Sequence, residues 1–154
     1  MRVVSKLTPV RRALILYESL SGNTAQLAAV IQDLLEEAGA ATERIHLRSF
    51  LDLSYEEAED ILKPYRTIMI GSYTDDKHLP PEPLEELMDT HTLSDKQVAA
   101  FGTGDTQWGE TYCLAAYTIA RHYQSPFSVL DIEQMPSGSD QEKIEKWLEA
   151  ISDD

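Results

Sequence analysis

The sequence predicts an α/β fold of the doubly wound kind, with five parallel strands in an open sheet and helices on both faces. Two sequence patterns that alternate along the chain predict this fold. Short continuous apolar runs, typical of strands covered on both faces, alternate along the chain with segments whose apolar residues recur at helical spacing. Such alternation favours a parallel sheet, and five strands are too few for an eight-stranded barrel.

The first strand and helix are the most regular pair. Residues 13–17 form a continuous apolar run, and residues 19–24 follow as a turn rich in Ser, Gly, Asn and Thr. A helix is predicted next, and Gly39 stands where its C-terminal cap is expected. The apolar face of this helix carries Leu27, Val30, Ile31, Leu34 and Leu35.

The second strand is expected over residues 41–47. Ser54 and Glu57 then have the spacing of a capping box, in which each side chain bonds the backbone N–H of the other residue. A helix is therefore predicted from Ser54 to about Lys63.

The third and fourth units follow the same plan. Residues 67–71 predict a buried strand, after which the prolines of residues 80–83 force an extended or turning path before a short helix near residues 84–88. Residues 98–101 predict the fourth strand, and residues 111–123 a helix. One face of that helix carries Tyr112, Ala115, Ala116, Ile119 and Tyr123.

The fifth strand is expected over residues 127–132. Ser139 and Glu142 repeat the capping-box spacing and predict the start of the last helix. The apolar face of this helix carries Ile144, Trp147, Leu148 and Ile151. No internal repeat or linker divides the units, so residues 13–154 are expected to form a single domain.

The chain is strongly acidic. Its 154 residues include 27 Asp or Glu and 13 Lys or Arg, a formal net charge of −14. Residues 1–12 carry four basic residues and no acid, which predicts a disordered basic leader ahead of the domain. Nucleic acid and anionic membrane are not expected partners, because such an acidic body repels phosphate.

A cytoplasmic protein is expected. No apolar run approaches the roughly 18 residues of a membrane span, and the start has no signal-peptide pattern. The single cysteine, Cys113, excludes an internal disulfide framework and is expected to be a buried structural thiol. No metal site is expected, since Asp75, Asp76 and His78 are loose ligands without a helical frame.

Glycines gather where a ligand is expected. In a doubly wound sheet, ligands bind outside the carboxyl ends of the strands, near the switch in strand order. Five of the seven glycines fall at the ends of the first, third and fourth predicted strands. They are Gly22, Gly71, Gly102, Gly104 and Gly109. Ordinary turns also use glycine, but three glycine-bearing loops at one edge favour a binding site.

The first of these loops has the composition of an anion site. Hydroxyls at Ser19, Ser21 and Thr24 flank Gly22 and Asn23, and backbone N–H groups at a helix start favour anions through the helix dipole. The loop is neither a Walker loop nor Gly-x-Gly-x-x-Gly. The alternative is a helix N-cap rich in Ser, Asn and Thr. Binding without lysine selects a small monophosphate over a nucleic-acid backbone.

The loop after the fourth strand carries aromatic residues in a polar, Gly-rich setting. An aromatic ring at the ligand edge can stack on a flat ligand ring. Trp108 favours this role because Gln107 and Gly109 flank it. For Tyr112, packing into the core is an equal alternative.

Together the two loops resemble those of the flavodoxins, and the resemblance covers about residues 13–152. The Ser-x-Ser-Gly-Asn-Thr loop is similar to the family's phosphate loop, and the run from Gly104 to Cys113 is similar to its third flavin loop. The resemblance implies strand order 2-1-3-4-5, non-covalently bound flavin mononucleotide (FMN), and a low-potential electron carrier rather than an enzyme. Flavodoxin is itself a standard example of a ligand at the switch point.

The resemblance also implies which residues hold FMN. The first loop would hold the phosphate, the backbone of residues 102–105 would meet the pyrimidine edge with Asp105 near ring N3, and Trp108 would stack on the outer ring face. The expected cofactor-binding residues are Ser19, Leu20, Ser21, Gly22, Asn23, Thr24, Ser72, Tyr73, Thr74, Asp75, Gly102, Thr103, Gly104, Asp105, Trp108, Tyr112 and Cys113.

The middle loop departs from the family pattern. Flavodoxins usually place a tryptophan and glycines just after a Gly-Ser/Thr-x-Thr run, whereas Thr74 is followed here by Asp75. The inner ring face is therefore expected to be covered by Tyr73, His78 or Leu79, or to be left open.

An acidic segment follows the same loop. Residues 75–89 contain six acids against Lys77 alone, a local net charge of −5. One interpretation of this segment is a solvated surface. The other is a surface beside the flavin, where its charge lowers the flavin potential and steers basic redox partners. The expected partners are a flavodoxin or ferredoxin reductase-type donor and an acceptor enzyme, both docking on this face of a monomer.

Three further interpretations stay open from the sequence. Flavodoxin-like activators of manganese-type ribonucleotide reductase are similar over residues 112–126 but tend to have Gly-Asn where Gly104 and Asp105 stand. A receiver-type signalling module needs an acidic pair after the first strand and a lysine after the fifth. Glu18 is single, and residues 130–135 contain no lysine. A non-enzymatic apo interaction protein is supported only by the missing tryptophan.

Overall fold

The described part of the chain is a five-stranded parallel sheet with helices on both faces. The structure is a computed structural model of the full chain, and it describes residues 10–20, 22–74, 80–104, 113–134 and 136–151. In chain order the elements are β1 Arg12–Tyr17, α1 Asn23–Glu37, β2 Ala41–His46, α2 Leu47–Leu51, α3 Tyr55–Leu62, β3 Thr67–Tyr73, α4 Glu82–Thr90, β4 Gln97–Gly104, α5 Leu114–His122, β5 Leu130–Glu133, a 3₁₀ turn Gly138–Asp140, and α6 Gln141–Glu149. The strands lie in the order β2-β1-β3-β4-β5, all pairs parallel, which confirms the predicted fold and strand order.

Burial on both faces divides the hydrophobic core in two. Ala13 and Ile15 of β1 enter the core beneath α1 and α6. Leu14 and Leu16 enter the core beneath α2, α3, α4 and α5. Because successive side chains of a strand point to opposite faces, β1 needs an apolar residue at each of these positions. This explains the continuous apolar runs of the sequence.

The end of α1 is set by the predicted glycine. Gly39 adopts a φ of +92°, and its N–H donates to the Glu36 carbonyl at 3.0 Å. The next N–H, of Ala40, donates to the Leu35 carbonyl at 2.9 Å. These two bonds form a left-handed C-terminal cap, which glycine adopts without strain.

The predicted capping box at the start of α3 is also present. The N–H of Glu57 donates to Ser54 Oγ at 3.1 Å, and the N–H of Ser54 donates to Glu57 Oε1 at 3.0 Å. The bond from the Ser54 backbone, followed by that from its hydroxyl, holds the pKa of the Glu57 carboxyl below its ordinary value.

The C-terminal elements differ from the prediction. β5 begins at Leu130 rather than at residue 127 and runs one residue past the predicted end, because the N–H of Phe127 is still bonded within a turn, to Ser125 Oγ at 3.2 Å. The predicted capping pair of Ser139 and Glu142 is wrong. Asp140 instead accepts the N–H of Ser137 at 2.9 Å, which forms the 3₁₀ turn ahead of α6.

Other boundaries differ as well. The five-residue helix α2 was not predicted, since it is too short to show helical periodicity. α5 begins at Leu114, three residues later than predicted. β4 continues to Gly104, so two glycines assigned to the following loop belong to the strand. The ordered fold also starts before residue 13, because Val10 is buried in the core and Arg12 opens β1.

The two edge strands of the sheet carry charged side chains. Glu43 and Arg44 of β2 are exposed. At the other edge, Lys143 Nζ donates to the backbone carbonyl of Asp131 in β5 and, at 2.6 Å, to its Oδ1. Tyr117 Oη donates to Asp131 Oδ2.

These contacts shift two pKa values. Burial raises the pKa of Asp131, but the bonds from Lys143 and Tyr117 outweigh it and hold the pKa below its ordinary value. The bond to Asp131, with burial, raises the pKa of Tyr117 to about 12.

Within the described ranges, no helix combines the length and the apolar character needed to cross a membrane.

Gly71 allows β3 and β4 to pack as neighbours. A Cβ at this position would lie 2.0 Å from Cε2 of Phe101, well inside contact distance. The Phe101 ring is fully buried and meets Trp147 edge-on, with ring centroids 6.2 Å apart. The ring therefore has no room to withdraw.

Gly71→Ala is expected to lower the free energy of unfolding by about 1–3 kcal/mol, because the added methyl group overlaps the Phe101 ring. Urea unfolding followed by circular dichroism measures the change. Gly138→Ala is the matched control, since a Cβ there meets nothing within 4 Å, and a change below about 0.5 kcal/mol is expected. Equal effects of the two substitutions would contradict the packing explanation.

Candidate functional site

The carboxyl ends of the three central strands lie side by side. Tyr17 of β1 is paired with Gly71 of β3, and farther along β3 Ser72 is paired with Gly102 of β4. The neighbours of β1, which are β2 and β3, continue the sheet in opposite directions, so the strand order switches here. As predicted, the carboxyl ends of β1, β3 and β4 therefore lie at one edge of the sheet.

The turn after β1 ends as a helix N-terminus suited to an anion. Gly22 precedes α1 with a φ of +97°, a left-handed conformation that favours glycine. Ser19 Oγ accepts the backbone N–H groups of Gly22 at 3.1 Å and Ala25 at 3.2 Å. The first N–H groups of a helix have no acceptor within it. With the positive end of the helix dipole, they make this turn attractive to a negative group although residues 19–25 contain no Lys or Arg.

Two other predicted residues of this turn differ in exposure. Leu20 projects into solvent and is 79% exposed. Asn23, the first residue of α1, is half-buried. An anion at the helix start would therefore lie beside one exposed apolar side chain.

Thr24 joins the first loop to the fourth strand. Its Oγ1 lies 2.8 Å from Oγ1 of Thr103, and both side chains are buried. A buried hydroxyl needs such a partner. The bond crosses from α1 to β4 and fixes the distance between two of the three predicted binding segments.

The two hydroxyls at the end of β3 are both bonded, and one of them ties the strand to α5. Ser72 Oγ donates to the Tyr73 carbonyl at 2.7 Å. Thr74 Oγ1 accepts the N–H of Ala115 at 2.9 Å, which satisfies a donor in the first turn of α5. Ser72 and Thr74 are buried and Tyr73 is half-buried. Their side chains therefore shape the edge, and Tyr73 is the more accessible of the three.

Gly102 is needed for packing. A Cβ there would lie 2.8 Å from Cβ of Ala116 and 3.0 Å from the Ser72 carbonyl. Cys113 lies nearby, just before α5, with a φ of 52° and a buried side chain, which agrees with the expected buried thiol. Gly104 ends β4 and is half-buried. The glycines of this edge thus serve close contacts within the protein as well as any contact with a ligand.

Several predicted site residues lie outside the described residues. They are Ser21, Asp75, Asp105, Trp108 and Tyr112, together with His78, Leu79 and Gly109. Their roles stay predictions.

Glu18 is an ionisable residue of the edge that the sequence pattern indicated only as a possible receiver acid. Its side chain is 2% exposed, with Oε1 3.2 Å from His46 Nε2 and Oε2 3.2 Å from Arg48 Nε. The sequence contained a signal for this contact. Glu18 follows the first strand, and His46 and Arg48 lie at and just after the end of the second. Parallel strands that are neighbours in a sheet end at the same edge. The parallel pairing of Tyr17 with His46 brings them together.

Two hollows in the described surface differ in their relation to this edge. One of about 360 Å³ lies between α2 and α4 and is lined by Arg48, Leu51, Asp52, Glu82, Pro83 and Glu86. The other, of about 450 Å³, lies at the amino end of the sheet and contains none of the predicted site residues. There Lys96 Nζ donates to the carbonyls of Leu62 at 2.8 Å and Tyr65 at 2.6 Å, so it caps the end of α3. The smaller hollow contains none of the predicted site residues either, but Arg48 links it to the candidate site through the ion pair with Glu18.

Among the residues that the structure describes, no three His, Cys, Asp or Glu side chains are grouped as metal ligands would be. The loose set of Asp75, Asp76 and His78 falls outside those residues.

Comparison with known proteins decides the family. A family model described as Flavodoxin matches residues 15–147, most of the chain.

The chain belongs to the flavodoxin family.

The flavodoxin relatives cover nearly all of this chain. "Probable flavodoxin 2" of Bacillus subtilis (strain 168) is 30% identical over 141 residues, which is 86% of this chain and 89% of the relative. The solved structure of oxidised flavodoxin 2 from Bacillus cereus is 28% identical with a TM-score of 0.70, and the match covers 89% of this chain and 92% of that one. A flavodoxin from the domain Archaea is 28% identical with a TM-score of 0.69, covering 90% and 93%.

Membership confirms two predictions drawn from the resemblance. Flavodoxins bind FMN and carry electrons, so this flavodoxin is an FMN-binding electron carrier. The matches give no support to an activator of ribonucleotide reductase, a receiver-type signalling module or an apo interaction protein.

The Thr24–Thr103 bond gives a test of how the edge is held together. Thr103→Val is expected to cost about 1–3 kcal/mol, because it leaves the Thr24 hydroxyl buried without its partner. Replacing both residues by valine removes both polar groups and should cost less than the sum of the single substitutions. Urea unfolding of the FMN-free proteins measures all three. Strict additivity would show that the two hydroxyls do not interact.

Proposed function

We propose that this flavodoxin holds FMN non-covalently at the carboxyl edge of the sheet. The phosphate would lie at the start of α1, and the flavin ring between the segments that follow β3 and β4. The observation that carries this proposal is the anion-favouring helix start joined directly to the end of β4 by the buried 2.8 Å bond of Thr24 and Thr103.

The residues of the turn fit a phosphate group. Ser19 and Ser21 offer hydroxyls and Asn23 offers a backbone N–H, whereas the N–H of Gly22 would have to leave Ser19 Oγ, to which it donates at 3.1 Å, in order to reach the anion. The anion would be held by these hydrogen bonds and the helix dipole. Ser19 Oγ now accepts two backbone N–H groups, and as a hydroxyl it also has a proton to donate. Thr24 would contribute its N–H, because its hydroxyl is bonded to Thr103.

The ring would be held by the neighbouring segments. The assigned residues are Leu20, Ser72, Tyr73, Thr74, Asp75, Gly102, Thr103, Gly104, Asp105, Trp108, Tyr112 and Cys113. Bound FMN supplies the redox chemistry, and the protein supplies binding, orientation and electrostatics. We assign no catalytic acid, base or nucleophile, and we assign the chain to electron transfer in the cytoplasm as a monomer.

The acidic face of α4 is the proposed docking surface for redox proteins. Glu82, Glu85, Glu86 and Asp89 are exposed on this helix, which contains no Lys or Arg. α4 follows the segment after β3, so its charge lies beside the proposed ring. The same carboxylates would make added negative charge on the ring costly, which lowers its potential, and would attract a reductase or an acceptor enzyme with a basic surface.

The binding of FMN is tested by absorbance. The purified protein is expected to be yellow, or the FMN-free protein to take up added FMN with the bands of a bound flavin. Trp108→Ala is expected to weaken binding about tenfold through loss of stacking, and Trp108→Phe, which keeps a ring, to weaken it less. Protein that stays colourless with added FMN would overturn the proposal. Equal affinities of Trp108→Ala and Trp108→Phe for FMN would show that the Trp108 ring does not stack on the flavin.

The docking surface is tested by charge reversal. Glu82→Lys combined with Glu86→Lys is expected to slow reduction by a flavodoxin reductase about tenfold at low ionic strength, with the difference shrinking as salt is added. The control combines Asp33→Lys with Glu37→Lys, which makes the same charge change on exposed positions of α1 away from the edge. Stopped-flow rates over a salt series compare them. Equal slowing in both would show that only net charge matters.

A further inference from the structure

Glu18 is a buried acid at the edge that the assigned FMN contacts do not use. Its carboxylate lies 3.2 Å from His46 Nε2 and 3.2 Å from Arg48 Nε, and its backbone N–H donates to the Gly71 carbonyl at 3.0 Å. Burying a carboxylate is costly unless it is paired. The backbone of Glu18 is therefore fixed to β3. Its side chain is fixed to the end of β2 and the start of α2.

The position of Glu18 makes its charge relevant to the proposed phosphate. It directly precedes Ser19, a step of about 3.8 Å between Cα atoms. Salt screens buried charges much less than exposed ones, so an unpaired carboxylate here would oppose a phosphate dianion at the start of α1.

Arg48 carries most of the compensation. His46 Nδ1 accepts the backbone N–H of Arg48 at 3.2 Å and caps α2. That nitrogen acts as an acceptor and carries no proton while it caps α2. Of the two partners described for Glu18, Arg48 is thus the one with a fixed positive charge.

Arg48 also stands between Glu18 and the acidic docking surface. Its side chain is 67% exposed, and it lines the hollow of about 360 Å³ together with the carboxylates of Asp52, Glu82 and Glu86. The turn of residues 19–22, proposed to hold the phosphate, is termed the phosphate turn. Without Arg48, the buried acid that directly precedes this turn would have no permanent positive charge among its described partners.

We propose that Arg48 is a positioning residue for cofactor binding, which neutralises Glu18 and so keeps the phosphate turn free of an opposing negative charge. The proposal rests on the proposed placement of the FMN phosphate at the start of α1. It assigns a role in binding to a side chain that belongs to none of the three loops.

The test compares FMN with riboflavin, which lacks the phosphate. Dissociation constants for the FMN-free protein are measured by quenching of flavin fluorescence. Arg48→Gln is expected to raise the Kd for FMN about tenfold while changing the Kd for riboflavin by less than about twofold, because only FMN carries the phosphate charge. Adding Glu18→Gln to Arg48→Gln removes the unpaired charge and should return the Kd for FMN to within about threefold of the wild-type value.

Two further variants serve as controls. Arg48→Lys keeps the charge and is expected to bind FMN nearly as tightly as the wild type. Arg121→Gln removes an exposed arginine at the far end of α5 and should change neither Kd. Circular dichroism shows whether each variant is folded, and Arg48→Met, which also removes the charge, takes the place of Arg48→Gln if the glutamine variant is not.

The opposing outcomes are distinct. If Arg48 only stabilises local structure, the double variant, which also lacks the ion pair, will bind FMN as weakly as Arg48→Gln, and this result overturns the proposal. Equal losses of FMN and riboflavin affinity overturn it too. Wild-type protein that binds neither flavin refutes the placement of FMN and this proposal with it, whereas tight binding of both by every variant refutes only the role of Arg48.

Discussion

Burial of the parallel sheet on both faces governs where polar groups can stand in this protein. Successive residues of the central strands enter opposite cores, and a polar side chain placed among them would need a partner that those cores do not supply. Hydroxyls and charges are therefore concentrated where strands end. Glu18, Thr74 and Thr103 all lie at or beside strand ends at the carboxyl edge, and the side chain of each is tied to a neighbouring element. The same burial that stabilises the sheet thus assembles the site.

The second constraint is electrostatic. A chain with a net charge of −14 must bind a phosphate group without drawing it into contact with its own acids. In the proposed placement, the turn after β1 would meet this requirement with a helix N-terminus and without a Lys or Arg among residues 19–25. Local dipoles would then hold the anion and leave the acidic surface to basic partners. A buried carboxylate at Glu18 is compatible with that division because its charge is matched within the same edge by Arg48.

Most of the architecture could be predicted because the signals are local. Continuous apolar runs locate the three central strands β1, β3 and β4, and the caps at Gly39 and Ser54 stand where their spacing places them. The missed features depend on residues far apart in sequence. Gly71 marks a ligand edge in the sequence, yet its close neighbour is Phe101, thirty positions later. The burial of Glu18 likewise depends on partners from the next βα unit, and only the register of the strands brings them together.

The edge strands determine how this protein behaves in a crowded solution. An unpaired strand edge is a template for pairing with another chain, and such pairing leads to aggregation. β2 presents charged side chains along its free edge, and β5 is four residues long with the ammonium group of Lys143 bonded to its Asp131 carbonyl. These features disfavour strand addition at both edges. An electron carrier meets its partners by diffusion, and edges that resist strand pairing lower the chance that such encounters end in aggregation.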